Sequence, residues 1–386
     1  MSSSSRSGPD RCPGALRVHA AADGGLARVR LPGGALARVQ LDALAAASRE
    51  LGDGFLELTS RANLQIRGLA DGAEAELSER LSAAGLLPSA AHERVRNILG
   101  SVLTGRDGDG LLDARPVVAA LDAGLCADPS LAGLPGRFLF AVDDGRGDVI
   151  ALRADVGLYA VAPDAFALVL AGKDSGLRAR PGEAAALALD AARAFLRVRT
   201  SEWRLAELGR DLPLAGDRVE PVPVPATPRR TPLGAIPQRD GRTAFSGLVP
   251  LGRLDPAGLG GLGAAGEIIV TPWRGVVIPG VADMSHFPGL VTGPDWAGLT
   301  SCAGRPGCAK SLTDVRADAA RARRAGGGLP VHWSGCERQC GRPADRHVAV
   351  VAVPGGYEVR LGGEVRARPH DLTATAAAAA TTRRSE

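Results

Sequence analysis

The sequence predicts an internally duplicated α+β protein, and three observations carry that reading. Residues 15–90 follow the order β-hairpin, helix, strand, strand, helix. Residues 243–299 repeat it in degenerate form. Between the two copies the composition shifts: Pro213, Pro221, Pro223, Pro225, Pro228, Pro232 and Pro237 crowd into 209–242. That density favours an extended connector, because proline fixes φ and lacks a donor.

The elements follow in order. Residues 1–14 read as a disordered leader whose opening, Met1 to Ser7, is polar and has no apolar signal core, so a cytoplasmic location is expected. From Ala15 to Val39 short strands break at Asp23-Gly24-Gly25 and Leu31-Pro32-Gly33-Gly34. Leu41, Leu44, Ala45, Ser48 and Leu51 keep helical spacing, Gly52 and Gly54 end the helix, and Phe55 to Leu58 reads as strand. Thr59 to Gly68 follows as loop and then strand, with Leu64 and Ile66 alternating against Gln65 and Arg67; a helix near Gly72 to Ala84 closes the unit.

Residues 91–208 form a larger α/β unit with expected strands at Arg137 to Val142 and Val149 to Arg153 and a long helix from Gly182 to Arg199. Past the connector, Gly247 to Gly252 echoes the Arg30 to Gly34 hairpin, and Val270 to Val281 aligns without gaps on Leu58 to Leu69. Trp273, Val277 and Pro279 stand where the first copy has Arg61, Gln65 and Arg67, so only the first copy keeps a polar strand face. Residues 300–372 form the last unit, helical over Leu312 to Arg324 and strand-like over Leu329 to Trp333, and 373–386 is expected to be a disordered tail.

Composition narrows the function. With 386 residues, 45% of them apolar and 23% charged, the chain can bury a large core, and it has no apolar run near the ~18 to 20 residues a membrane helix needs. A net charge of +4 with 3% aromatics and no clustered basic stretch argues against nucleic acid as a partner. Of 46 basic residues only Lys173 and Lys310 are lysines.

Four of the six cysteines carry the chemistry. Cys302 and Cys308 lie in one Gly/Pro-rich loop, Cys336 and Cys340 in another, and the intervening helix and strand allow the loops to converge. Four thiolates suit a tetrahedral zinc or an iron–sulfur cluster, and the wide first spacing fits a cluster better. Cys126 reads as a buried thiol. Arg61, Gln65 and Arg67 should share a strand face; Arg96 and Asn97 form a second polar pair. Guanidinium groups bind planar carboxylates in a bidentate fashion; the alternative for an arginine taken alone is a solvated surface residue, a reading the motif around Arg61 disfavours. His19, His92, His286, His332, His347 and His370 could ligate a mononuclear non-haem iron, but none shows a facial-triad spacing. No G-x-G-x-x-G follows a strand to suggest a built-in nicotinamide site.

The order C, five residues, C, then G-C, three residues, C, with the Arg61-to-Arg67 strand and Val95-Arg96-Asn97 upstream, resembles the nitrite and sulfite reductase superfamily over nearly the whole chain. The resemblance implies paired ferredoxin-like half-domains (15–90 and 243–299), two larger α/β cofactor units, and a 4Fe-4S cluster on Cys302, Cys308, Cys336 and Cys340. It also turns Arg61, Gln65, Arg67, Arg96, Asn97 and Arg137 toward a tetrapyrrole.

Within the superfamily, Arg11-Cys12-Pro13-Gly14-Ala15-Leu16-Arg17 and the Ala22 to Gly34 segment are most similar to the precorrin-3B synthases. That resemblance implies precorrin-3A and dioxygen as substrates and electrons from NADH through a reductase. Reductases carry two lysines in a segment that here reads Leu134-Pro135-Gly136-Arg137-Phe138-Leu139. Arginine does not release a proton near neutral pH and leucine has none. A siroheme-dependent sulfite or nitrite reductase is the alternative, and a simple electron carrier a third. No catalytic residue is named by the sequence.

Overall fold

Two short reversals shape the first unit. Gly24, at φ 113°, closes the hairpin of β1 (His19–Ala21) and β2 (Gly24–Val29), and a 3-10 turn at Pro32–Gly34 leads to β3 (Ala35–Ala37). The computed structural model describes residues 12–281, 287–324 and 327–384. Arg11, His286 and most of the expected leader therefore lie outside the described residues, as do the last two of the tail.

Helix α1 (Arg38–Leu51) buries Leu41, Leu44, Ala47 and Ser48 on one face. Its start is held by the Ala37 N–H donating to Gln40 Oε1 at 3.0 Å. Strands β4 (Leu56–Leu58) and β5 (Leu64–Leu69) and helix α2 (Ala73–Ala83) complete the expected order. Full burial of each such leucine contributes about 1.5–3 kcal/mol.

The second unit contains β6 (Ile98–Gly100), α3 (Arg115–Ala127), β7 (Phe140–Asp143), β8 (Val156–Ala162), β9 (Ala165–Leu170), β10 (Lys173–Ala179) and α4 (Pro181–Val198). The third has β11 (Gly234–Pro237), β12 (Thr243–Leu248), β13 (Arg253–Leu254), α5 (Pro256–Leu262), β14 (Glu267–Val270) and β15 (Gly275–Val281). The last has β16 (Leu299–Ser301), α6 (Val315–Arg321), β17 (Val331–Ser334), β18 (Val348–Val353), β19 (Gly356–Leu361), β20 (Glu364–Ala367) and α7 (Leu372–Thr382).

The two small units exchange a strand. Their antiparallel sheets run β1-β2-β5-β4-β13 and β11-β12-β15-β14-β3, so each unit's strand after the 3-10 turn completes the other's sheet. Arg253 pairs with Glu57 on one side and Ala37 with Glu267 on the other. Both turns use left-handed backbone, at Gly33 and Gly34 in the first copy and Leu251 and Gly252 in the second. At Gly34 a Cβ would lie 2.2 Å from the Val270 carbonyl oxygen, so only glycine lets the copies approach this closely. Their apolar faces fuse into one core, with Leu36, Leu44 and Ile66 packed alongside Leu254, Ile268 and Ile278.

The larger units also repeat. Their sheets run β10-β9-β8-β7-β6 and β20-β19-β18-β17-β16, each with three parallel strands followed by two antiparallel ones, and α7 stands where α4 does.

Several expectations are corrected. The tail is helical over Leu372–Thr382 rather than disordered: the Ala374 N–H donates to Asp371 Oδ1 at 2.8 Å, and Ala376 and Ala379 pack into the last unit's core. The stretch expected as strand at 149–153 is a 3-10 turn, because the Asp143 carboxylate accepts from the Val149 and Ile150 N–H groups and curls the chain around itself. The connector is not wholly extended linker: β11 forms an edge strand, a place where Pro237 is tolerated. The boundary at 299/300 falls inside β16.

Candidate active site

The turn between β4 and β5 is built by polar side chains. Thr59 Oγ1 accepts from the Asn63 N–H at 3.1 Å, Asn63 Oδ1 accepts from the Leu31 N–H at 2.9 Å, and Ala62 takes a left-handed φ of 53°. Arg61 projects from this turn into a cavity of about 450 Å³. From the second copy, the matching turn contributes Trp273 and Arg274, the latter at φ 57°. The two turns thus face the same space.

Arg204, Arg230 and Arg342 join Arg61 and Arg274 in lining it. Arg204 is held by Asp155 at 2.7 Å, and the same carboxylate accepts the Leu139 N–H at 2.8 Å. Arg61 has no such partner among the described residues. Burial, with Arg204 next, presses its guanidinium from the usual arginine range down to about 10. An incoming anion would relieve both costs. Leu99, Leu139 and Leu152 supply the apolar wall on the side of the first α/β unit.

The cysteines lie alongside. Strands β16 and β17 are parallel neighbours, so the loops after them leave the same sheet end. Cys302 donates its N–H to the Trp333 carbonyl at 2.9 Å, and the Gly335 N–H points at Cys302 Sγ at 3.3 Å. Burial pushes the Cys302 thiol up, and Cys340 and Cys308 are near enough to add to that. A side chain at Gly335 would fall 1.8 Å from Ser311 Oγ, so glycine lets the two loops knit together. Gly341 and Arg342, directly after Cys340, line the cavity.

These residues fit an iron–sulfur cluster. A single zinc ion would hold four sulfurs within ~4 Å of one another. Among the described residues no group of three or more His, Cys, Asp or Glu side chains is placed to hold a single metal ion. The loops do converge, a backbone N–H already aims at sulfur, and the buried hydroxyls of Ser301 and Ser334, each beside a cysteine loop, lack hydrogen-bond partners among the described residues. Among the described residues the histidines do not gather with other ligand side chains to hold a mononuclear iron. His332 is fully buried, bonded through Nδ1 to Thr300 Oγ1 at 2.8 Å and through Nε2 to the Cys340 carbonyl at 3.1 Å. Burial, with Arg274 and His347 next, holds it neutral, at about 3. His92 is bonded to Ser89 and the Asp128 carbonyl, and the His347 ring stands edge-on to that of His332 with 6.3 Å between ring centres.

The sequence profile of the nitrite/sulfite reductase ferredoxin-like half domain matches residues 19–84, the segment that carries the Arg61 turn. The NirA protein of Mycobacterium tuberculosis superposes with a TM-score of 0.68 over 88% of this chain and 75% of that one, at 21% identity. The chain has the nitrite/sulfite reductase-like fold. A ferredoxin–nitrite reductase of Synechococcus elongatus is 28% identical, covering 88% of this chain and 78% of the relative. A precorrin-3B synthase of Sinorhizobium sp is 27% identical, covering 94% and 84%. The full-length relatives are thus enzymes, reductases and a synthase by name. No helix among the described residues is long and apolar enough to cross a membrane.

Within this nitrite/sulfite reductase-like fold the expected tetrapyrrole-facing residues separate. Only Arg61 lines the cavity. Arg96 turns to Asp122, Nε and Nη2 each at 2.7 Å, because that carboxylate lies beside it on α3. Asn97 is buried and buttresses the turn, donating to the Gly136 carbonyl at 3.0 Å and accepting from Asn63 Nδ2 at 3.3 Å. Arg137 is exposed, its guanidinium 5.3 Å from the Trp203 ring centre.

Gln65 accepts from Arg28, and Arg67 pairs with Asp23 and donates to the Gly307 carbonyl at 2.9 Å, bracing the first cysteine loop. Arg28, Gln65, Glu57 and Arg253 are successive cross-strand neighbours, a polar row across the first sheet. Glu57 also receives Arg316 of the cysteine unit at 2.5 Å. Sequence reasoning missed Arg204, Arg230, Arg274 and Arg342, which lie in four different segments; only Arg274, through its alignment on the Arg61 turn, had a signal.

Proposed function

We propose that the chain is an iron–sulfur oxidoreductase of the precorrin-3B synthase kind, acting on the polycarboxylate tetrapyrrole precorrin-3A. One atom of dioxygen would enter the macrocycle, with an acetate arm closing a γ-lactone. The other would leave as water, with two electrons from NADH through a partner reductase. The observation that carries this reading is Leu139. It lines the cavity at the position where the reductases of the resemblance have a proton-donating lysine, while Arg137 lies outside. Among the described residues neither Lys173 nor Lys310 lines that wall, and the one carboxylate that does is Asp345. Repeated protonation of a bound sulfur or nitrogen anion needs a nearby titratable donor. A macrocycle with carboxylate arms needs guanidinium groups around an apolar floor, which is what the wall offers.

Cys302, Cys308, Cys336 and Cys340 would hold a 4Fe-4S cluster, which supplies one-electron transfer when bound. Arg61, Arg204 and Arg274 would take the carboxylate arms, with Asp155 keeping Arg204 in place. Leu99, Leu139 and Leu152 would keep water from the ring. The similar identity to a nitrite reductase favours siroheme-dependent reduction as the second reading.

One experiment separates them. Protein purified without oxygen is given precorrin-3A, NADH, a reductase and ¹⁸O-labelled dioxygen; a parallel sample receives sulfite or nitrite with a strong artificial donor. Labelled product and no sulfide or ammonia are expected. Unlabelled product, or rapid sulfide or ammonia formation, overturns the synthase reading.

A further inference from the structure

Cys340 is the one exposed thiol of the four, on a loop that borders the cavity. A ligand in that place needs its backbone held from behind. His332 does this. A carbonyl only accepts, so the 3.1 Å contact from His332 Nε2 to the Cys340 oxygen requires the proton on Nε2. Nδ1 is then an acceptor, and Thr300 Oγ1, at 2.8 Å, donates to it. The chain of donors runs one way: Thr300 hydroxyl, imidazole, Cys340 carbonyl. Thr300 and His332 are register partners on the parallel strands β16 and β17, so the sheet itself sets their spacing. The ring is fully buried and has no free nitrogen. On the cavity side, Arg274 Nη2 reaches the next carbonyl, Gly341 O, at 3.3 Å.

We propose that His332, locked in its Nε2–H tautomer by Thr300, is the positioning residue that fixes the Cys340 backbone and thereby the place of its sulfur at the cluster. This rests on the reading of the four cysteines as ligands. His332 is not itself a ligand, and its role is mechanical: it limits how far the exposed thiolate swings toward the cavity. One lost hydrogen bond of this kind is worth roughly a tenfold change in an equilibrium.

The test uses the full chain purified without oxygen, carrying its own iron, as wild type, His332→Gln, His332→Ala, Thr300→Val and Cys340→Ala. Iron and acid-labile sulfide, the midpoint potential and the electron paramagnetic resonance spectrum of the reduced protein are read on each, with the half-life of the cluster in air. Gln retains an N–H at the Nε2 position, so His332→Gln should keep the wild-type potential and spectrum. His332→Ala should shift both and shorten the half-life roughly tenfold. Thr300→Val, which leaves the ring in place, should move them in the same direction by less, and it decides the matter if His332→Ala does not fold. Cys340→Ala should lose iron and sulfide. Wild-type potential, spectrum and half-life in His332→Ala, or in Thr300→Val where that is the folded variant, overturn the positioning role while leaving the ligand set intact. Full iron and sulfide in Cys340→Ala overturns the ligand reading instead.

Discussion

Arg61 and Arg96 look alike in sequence, two arginines in polar motifs, and the structure gives them opposite surroundings. Arg61 is half-buried and has no carboxylate bonded to it among the described residues, whereas Arg96 is closed on both oxygens of Asp122. Arg61→Ala should therefore weaken tetrapyrrole binding 10- to 100-fold, the value of a lost charge-assisted hydrogen bond, with little change in melting temperature. Arg96→Ala should cost about 2–4 kcal/mol of stability by stranding a carboxylate, with binding unaltered once the protein is folded. Equilibrium titration with precorrin-3A beside thermal melts checks both; a stability loss in Arg61→Ala larger than in Arg96→Ala would reverse the assignment. The sequence exposed the Arg61 turn because its spacing is local. It could not show Asp122 beside Arg96, since that pairing depends on how α3 lies against the chain.

Among the elements, the cysteine loops were legible for the same local reason: glycines flank thiols in a chain otherwise poor in cysteine. Replacing any of Cys302, Cys308, Cys336 or Cys340 by Ala should remove or degrade the cluster, read as iron and sulfide per chain. The strand exchange was hidden, because nothing in Ala35–Ala37 tells which sheet it joins. Its mark is Gly34, where a side chain meets the Val270 carbonyl at 2.2 Å in left-handed backbone. Gly34→Ala should destabilise the protein by at least ~2 kcal/mol. At Gly252 the nearest atom is instead the flexible Arg274 side chain, at 2.6 Å. Gly252→Ala, also in left-handed backbone, should lower the melting temperature too, but less than Gly34→Ala, and by pushing Arg274 aside it should weaken tetrapyrrole binding more than Gly34→Ala does in folded protein. Paired melts and titrations of the two variants test the contrast. The helical tail had a readable signal, Asp371 ahead of an alanine-rich run, and recognising that the larger unit repeats would have placed a helix there.

For the whole molecule, Glu57 is the meeting point. Its carboxylate lies within reach of Arg316 from the cysteine unit at 2.5 Å, Arg253 from the second half-domain at 3.8 Å and Arg67 of its own strand pair at 3.9 Å. With Glu57 largely buried, removing its charge leaves Arg316 without a carboxylate among the described residues, while Arg67 keeps Asp23 and Arg253 keeps Asp53. Glu57→Gln should cost about 3–5 kcal/mol and loosen the cysteine unit first, seen as earlier cluster loss than global unfolding on heating. Coincident loss of cluster absorbance and helical signal would show that Glu57 does not couple the units. Such long-range convergence, over 259 positions in the case of Arg316 and Glu57, leaves no trace in local spacing.

The exchanged strands also bear on how the chain can be cut. A break in the connector between the copies would give two fragments, each lacking the strand that closes its sheet and each carrying the strand the other needs. Neither would bury its edge alone, so each piece made separately should aggregate or stay soluble only with a chaperone. Made together, they should assemble into a one-to-one pair whose glue is the backbone pairing of Arg253 with Glu57 and of Ala37 with Glu267. In that sense the molecule is two interlocked hooks, and the covalent link between them serves mainly to keep their concentrations equal.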